Sequence, residues 1–437
     1  MLYLLAFVAF VGAAFEIMPA GVATQKAFLI FILLLGLINA RFVYQAKSTI
    51  LYILPFVVYL TYCAISAYSI SGSLAYVSSL VIPLLIGPIF YLYLSAHGDS
   101  FQASKLKTLF VSICIVQILF SFIKFQVHGI DEKVLIGTMS HSAGQLGFLF
   151  PTFAIPVLFF FYKDKNNLLL WSLVFGLALF GLINEKRSIV FLLPITVFLS
   201  IKANSTSSSS RLSARKLAAY AVAVLLGLST ILIGVSVIPS LSGSSLQYGG
   251  NSFFAPIEYA LDYLTMDYGG NLQGTYEEAL LDENVQVGRF TLIVSVFQWF
   301  SGASFWVKLF GLGFGVATPS AWIGASSDPL FDILGTRGAT SGAILTIIET
   351  GFVGFALINT FFIAVYRSLR IGIRESSQAG HVLLHRWYKT LEVLFYLSLY
   401  DFFFYSITLF RTLPAPMILF GLLSTITILR HKKTAWN

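Results

Sequence analysis

Charge is scarce in this sequence. Asp, Glu, Lys and Arg together make up 11% of its 437 residues, less than half of the roughly 25% that a water-soluble domain carries, which excludes a cytosolic enzyme. Cysteine is scarcer still. Cys63 and Cys114 both sit in apolar runs, which suits neither a disulfide framework nor a thiolate metal centre and leaves them as small hydrophobes. No His/Cys/Asp group has metal-ligand spacing, no P-loop cradles a phosphate and no serine sits in a nucleophile elbow, so neither a metal nor any other cofactor is expected. Met1 to Met18 is apolar but lacks the positive n-region of a cleaved signal peptide, so it reads as a retained first span that starts in the cytoplasm. A long internal repeat is also missing, which speaks against a transporter built from inverted halves.

Apolar residues fill the space that charge leaves. The sequence is 57% hydrophobic, with a mean hydropathy of +0.85. At ~20 apolar residues per crossing, this predicts an all-α polytopic membrane protein of about 12 spans, within a range of roughly 10 to 14. Apolar runs bounded by charged or Gly/Pro/Ser-rich breaks place the spans near 2–18, 27–40, 49–70, 74–95, 107–125, 144–162, 168–183, 188–200, 216–238, 341–366, 387–408 and 411–430. The chain thus divides into an N-terminal bundle of about nine spans at 1–238, a long loop at 239–340, and about three spans with a tail at 341–437.

Lysine and arginine orient the spans, because cytoplasmic loops collect them. With both termini inside, 18 of the 27 basic residues fall on the cytoplasmic side. The Ser-rich stretch from Asn204 to Ser213 is then a flexible cytoplasmic connector. The net charge of +8 reflects these loops facing anionic lipid and implies no nucleic acid. The loop 239–340 lies outside and holds nine of the 19 acids, with Arg289, Lys308 and Arg337 as its bases. A loop that long is functional or disordered, and here it reads as the soluble face of an active site. Within it, Ile293, Val296, Phe297 and Phe300 recur at helical spacing opposite Thr291, Ser295 and Gln298. That stripe, followed by Trp306 and Phe310, predicts an amphipathic helix lying on the outer membrane face.

Bases on the outer side break the topological bias and so attract interest. Asn184-Glu185-Lys186-Arg187-Ser188 is an outside turn that opens a helix, where backbone N–H groups already favour an anion. Arg289 opens the amphipathic helix, Arg337 precedes the tenth span, and Arg411 caps the twelfth. Together with Lys186 and Arg187, these arginines suit a diphosphate, because a guanidinium binds phosphate oxygens bidentately. Taken singly, each is equally an interfacial anchor or a partner for the loop's acids, and Glu185 is an equally good local partner for Lys186 or Arg187. His141, in the run from Gly137 to Gln145, is a candidate proton acceptor or sugar ligand. Glu349 falls within the tenth span, two turns from Ser341. An acid at that depth costs about 2.5–3.5 kcal/mol or more unless paired, and so must face protein or a wet cavity as a general base or a structural partner.

The run from Thr340 to Gly354 resembles the signature of the O-antigen ligase and polymerase superfamily: His, then Asn/Ser/Gln, nine residues, Gly, two residues, then Gly/Thr/Tyr. Ser341, Gly351 and Gly354 fall at the required spacing, while Thr340 stands at the histidine position. The ligases are held to use that histidine, so the departure points to the Wzy-type O-antigen polymerase branch. Asn184 to Ser188 is similar to the family's Arg-Ser turn. Gly288-Arg289 with Trp299, and the run from Phe310 to Gly315, are similar to its arginine, tryptophan and Gly-rich stretch.

The resemblance implies a GT-C-like, metal-independent inverting glycosyltransferase of the bacterial inner membrane, acting in lipopolysaccharide or surface polysaccharide biosynthesis. It would transfer a glycan from undecaprenyl diphosphate to the non-reducing end of another lipid-linked repeat unit. A chain-length regulator protein is a possible partner. Arg187, Arg289 and either Arg337 or Arg411 would hold the leaving diphosphate, while a carboxylate or His141 would take the acceptor proton. The outside loop's tyrosines, among them Tyr248, Tyr259 and Tyr276, suit sugars and equally a membrane aromatic belt. The alternatives are a ligase that joins polymer to the lipid A core, against which Thr340 counts, and a flippase or exporter of the lipid-linked unit.

Overall fold

The structure is a computed structural model. It describes residues 21–38, 46–97, 103–128, 137–138, 146–162, 167–184, 187–204, 286–287, 289–317, 337–338 and 341–405, with the single positions Phe10, Ala221, Leu225, Ser229, Ile333 and Gly421. Expected spans 2–18 and 411–430, most of 216–238 and of the loop 239–340, and both termini lie outside the described residues.

The described chain is helical apart from one two-residue pairing. Seven helices come first: α1 (Gly21–Ile38), α2 (Ala46–Ser71), α3 (Leu74–His97), α4 (Ala103–His128), α5 (Leu146–Tyr162), α6 (Asn167–Ile183) and α7 (Arg187–Ala203). Then come β1 (Gln286–Val287), α8 (Arg289–Gly302), α9 (Phe305–Phe310), β2 (Arg337–Gly338), α10 (Gly342–Gln378) and α11 (Val382–Tyr400), which ends in a π-turn over Asp401–Tyr405. Four stretches are long and apolar enough to cross a membrane: Ile53–Ser71, Leu74–Ser95, Lys107–His128 and Gly342–Gln378. Thr24–Leu35, Gly147–Tyr162, Leu168–Ile183, Leu192–Ala203 and Leu292–Gly302 are shorter apolar helices. The protein is therefore a helical membrane protein.

Prolines 55, 83, 88, 151, 156 and 194 all lie inside these helices. In water each costs about 3 kcal/mol, whereas membrane helices keep them because neighbouring helices satisfy the freed backbone groups.

Ring contacts fix the direction of each helix. Phe160 meets Trp387 at one end of α11, with centroids 4.4 Å apart, and Phe148 meets Tyr400 at the other, 6.2 Å apart; α5 therefore runs antiparallel to α11. The Arg386 Nε donates to Asn204 Oδ1 at 3.4 Å, so α7 is antiparallel to α11 too. Phe56 packs on Phe361 while Tyr62 reaches Thr350, which sets α2 antiparallel to α10. Phe402 lies against Gly342 and Tyr388 against Gly372, so α10 and α11 form an antiparallel pair.

The bundle thus has two ends. At the Ser341 end, α5, α7 and α10 begin and α11 finishes. At the Arg386 end, Lys107 stacks on Tyr162, and Lys202, Arg370, Arg374, Arg386 and Lys389 gather. α7 stops at the Arg386 end and α10 starts at the other. The core between the two ends is aromatic, with Phe56, Phe148, Phe180, Phe361 and Phe402 fully buried. Cys63 and Cys114 are buried there and form no disulfide.

Candidate functional site

The two-residue sheet matters more than its size suggests. β1 and β2 pair in parallel, with Gln286 opposite Arg337 and Val287 opposite Gly338. Arg289 follows Val287 by two residues and opens α8, so its backbone lies within about 7 Å of chain from the pairing. Ser341 follows Gly338 by three residues, within about 11 Å, and caps α10 by accepting the Ile344 N–H on its hydroxyl at 3.4 Å. Backbone positions 289, 337 and 341 are thereby gathered at the start of α10. Arg187 is the first residue of α7, at the same end of the bundle. Each of these helix starts directs N–H groups and a positive dipole end outward. Lys186, His141, Thr340 and Arg411 lie outside the described residues.

From its start, α8 runs alongside the first part of α10 and in the same direction, as far as a T-shaped contact between Phe300 and Phe352 at 5.2 Å. Leu292 and Val296 join Ile344, Leu345 and Ile348 in one buried cluster, with Ile293 and Trp299 at its margin. This corrects the expected amphipathic face. Val296 and Phe300 are buried and Gln298 is exposed, as the stripe predicts, but Ser295 is buried at 2% and Phe297 is 61% exposed, so those two positions trade places. The reason is that α8 packs lengthwise on another helix, so its inward stripe follows the groove of α10 rather than the most apolar side. Phe297, Phe305, Trp306 and Phe310 are left facing outward, and the last two rings stack, 13° from parallel.

Gly351 breaks α10. Its φ of 62° and ψ of −163° are not helical, so the first segment ends at Thr350 and its last carbonyls lose their partners along the helix. The Gly-rich run after α9 replaces them. Leu312 N–H donates to Ile348 O and Gly313 N–H to Glu349 O, both at 2.8 Å. The Tyr62 hydroxyl donates to Thr350 O at 3.1 Å and to Phe310 O at 3.0 Å. Ser66 Oγ accepts the Phe314 N–H at 3.1 Å. Gly311 and Gly351 are glycines because the backbones meet there: a Cβ on Gly351 would lie 2.5 Å from Gly311 N and 2.6 Å from the Leu309 carbonyl carbon. Three segments far apart in sequence, α2, the α9 loop and α10, are thus clasped at one point.

Glu349 sits in the turn before this break, 1% exposed and about 12 Å along the helix from Ser341. Tyr59 of α2, buried, lies beside Thr346 and Cys63 within electrostatic reach of the Glu349 carboxylate. Glu349 is thus enclosed by protein. Asp401, fully buried in the π-turn at the Ser341 end, is an acid that reading the sequence passed over. The signal was present, since it interrupts the apolar run from Leu397 to Phe404. Tyr59 and Tyr62 carried no such signal, because a tyrosine in an apolar helix has the look of ordinary packing.

The clasp yields a first prediction. Tyr62→Phe removes the one hydroxyl proton that Thr350 O and Phe310 O share and is expected to lower stability by about 1–3 kcal/mol, measured as thermal unfolding in detergent. An unchanged melting temperature would mean that the hydroxyl does not hold the break together. No protein-family model matches the chain, and no curated protein does.

Proposed function

We propose that the protein is a polymerase of lipid-linked glycans, Wzy-like, with its site at the Ser341 end of the bundle. The observation that carries this reading is the β1–β2 pairing, which draws Arg289 and Arg337 together beside the start of α10, at the end where α7 opens with Arg187. Cations and helix N-termini focused on one place suit a diphosphate leaving group. Orientation supports the same reading. Lysines and arginines gather at the Arg386 end, which the positive-inside rule assigns to the cytoplasm, so the Ser341 end faces outward, with both termini inside and the loop 239–340 above it.

In the proposed reaction the acceptor sugar's hydroxyl oxygen attacks the anomeric carbon of the donor glycan. The bond from that carbon to the diphosphate oxygen breaks, and undecaprenyl diphosphate departs with the bonding pair. Arg187, Arg289 and Arg337 neutralise the charge that develops on it, with Lys186 and Arg411 as further candidates. The acceptor proton passes to a carboxylate or to His141. Glu349 and Ser341 border this end, and Thr340 occupies the position where a ligase would carry histidine. A chain-length regulator is a compatible partner.

A flippase or exporter is the second reading, favoured by the broken helix α10, since transporters build substrate sites from interrupted helices. Against it, the carbonyls of Ile348, Glu349 and Thr350 all accept protein donors, leaving none of the three to line a passage.

The test is the surface-polysaccharide ladder of a deletion strain rescued with wild type or with Arg187→Ala at equal expression. The proposal expects a single repeat unit on the core after deletion and no ladder with Arg187→Ala. A bare core with accumulated lipid-linked polymer would make the protein a ligase. Unpolymerised units trapped on the cytoplasmic side would make it a flippase.

A further inference from the structure

α10 is longer than a crossing requires. From the break at Gly351 to Gln378 it rises about 40 Å, against a hydrocarbon core of about 30 Å, and the part beyond Tyr366 carries Arg367, Arg370 and Arg374. These lie at i, i+3 and i+7, on one face of the helix. Ser368, Leu369, Gly372, Ile373 and Ser376 are buried on the opposite side, where Gly372 receives the Tyr388 ring. The arginine face looks away from the bundle.

Its level along the bundle is fixed by three contacts. Tyr388, against Gly372, is next but one to Arg386, which reaches Asn204 at the finish of α7. Trp387 packs on Phe160 near the finish of α5. The arginines therefore stand level with the ends of α5 and α7, where apolar helices of this length give way to the headgroup layer. Among them, Arg370 lies 3.4 Å from Glu392 and over the ring of Tyr366. Arg367 and Arg374 are exposed and make no ion pair or hydrogen bond among the described residues. Ile363, one turn before Arg367, and Ile371, between Arg370 and Arg374, are 51% and 47% exposed on this outward side, apolar neighbours for acyl chains beside the charges.

We propose that this face of α10 binds the headgroup phosphate of an anionic phospholipid, with Arg367 and Arg374 as its principal donors and Arg370 as a third. The partner follows from charge and position: an outward-facing guanidinium at the headgroup level meets lipid phosphate before anything else, and it forms charge-assisted, bidentate bonds with it. The site lies at the opposite end from the proposed transfer chemistry and does not depend on it.

The test titrates phosphatidylglycerol or phosphatidylcholine into the purified full chain in detergent and counts bound lipid by native mass spectrometry. Phosphatidylglycerol is expected to bind in preference, with an affinity that falls as salt rises. R367Q/R374Q is expected to weaken it roughly 30-fold, from about 5-fold per arginine. That variant removes no described contact, so its melting temperature without lipid should match wild type. R367K/R374K keeps the charge and should stay within a few-fold of wild type, which holds the proposal open to test if the glutamine variant folds poorly. Equal binding of the two lipids, or full phosphatidylglycerol binding by R367Q/R374Q, would overturn the proposal. So would soluble glycerol phosphate competing as strongly as the lipid, since the site would then serve a free anion.

Discussion

Gly351→Ala is expected to lower the stability of the protein by about 3 kcal/mol or more, the largest single-residue effect outside the arginines. Two costs combine. The backbone at 351, with φ 62° and ψ −163°, lies in a region open essentially to glycine alone, which costs a side chain roughly 1–3 kcal/mol. The new methyl would also meet backbone, 2.5 Å from Gly311 N, and backbone cannot rotate away as a side chain would. Relief of that clash must push the 310–315 run off α10, which releases the bonds from Leu312 and Gly313 to Ile348 and Glu349, each worth about 1 kcal/mol.

Two other glycines separate the terms. Gly72 has nearly the same φ, 61°, and a Cβ there would meet nothing within 4 Å, so Gly72→Ala should show only the conformational cost of about 1–2 kcal/mol. Gly302 has ordinary helical geometry and open space around it, so Gly302→Ala should be neutral or stabilising by up to about 1 kcal/mol. Thermal unfolding of the three variants in one detergent orders them as Gly351, Gly72, Gly302. If Gly351→Ala unfolds together with Gly302→Ala, the break in α10 is not part of the native fold.

The sequence made the helices legible where long apolar runs meet clear boundaries. The expected span 74–95 lies within α3, Leu74–His97, and 168–183 nearly coincides with α6, Asn167–Ile183, because glycine, serine or charge closes each run. Ends were missed where polar residues continue a helix past the apolar stretch. α10 runs on to Gln378 rather than 366, since Ser368, Gly372 and Ser376 pack on α11 whatever their polarity, and packing against a neighbour overrides hydropathy. On α8, Ser295 and Phe297 were misread for a related reason: with apolar residues on both sides, periodicity alone does not say where the face that meets α10 ends.

The site was legible as a set of residue types and not as a geometry. Gly351 stood out as part of a signature, but a glycine in an apolar run does not announce that it breaks a helix, or that Tyr62 and Gly313 satisfy the carbonyls it frees. Likewise, two residues of strand are too short for any period-2 pattern. The Gln286–Arg337 pairing joins segments far apart in the chain, and nothing in either segment points to the other. Arginine and glycine were visible as residue types; the β1–β2 pairing and the approach of Gly311 to Gly351 depend on long-range contacts that local sequence does not encode.

That convergence sets the second large effect. If Arg289 and Arg337 bear on one leaving diphosphate, Arg289→Ala and Arg337→Ala should each reduce the rate of glycan transfer by roughly 10²–10³-fold, the scale seen when one preorganised donor to a developing oxyanion is lost, equivalent to about 2.7–4 kcal/mol. The loss should fall on kcat, because the charge they neutralise grows only as the bond to the diphosphate breaks. Substitution by lysine keeps the charge but loses the bidentate fork, and should fall between wild type and alanine. Pairing through β1 and β2 adds a stricter expectation. Groups that act on one charge are not independent, so the double variant should be much less impaired than the product of the two single effects. Transfer measured with a lipid-linked repeat unit as both donor and acceptor decides the matter. Full multiplication of the two effects would mean that the arginines serve different ligands despite the pairing. A change confined to KM would make them holders of the ground-state donor, and the charge stabilisation would then have to come from Arg187 at the start of α7.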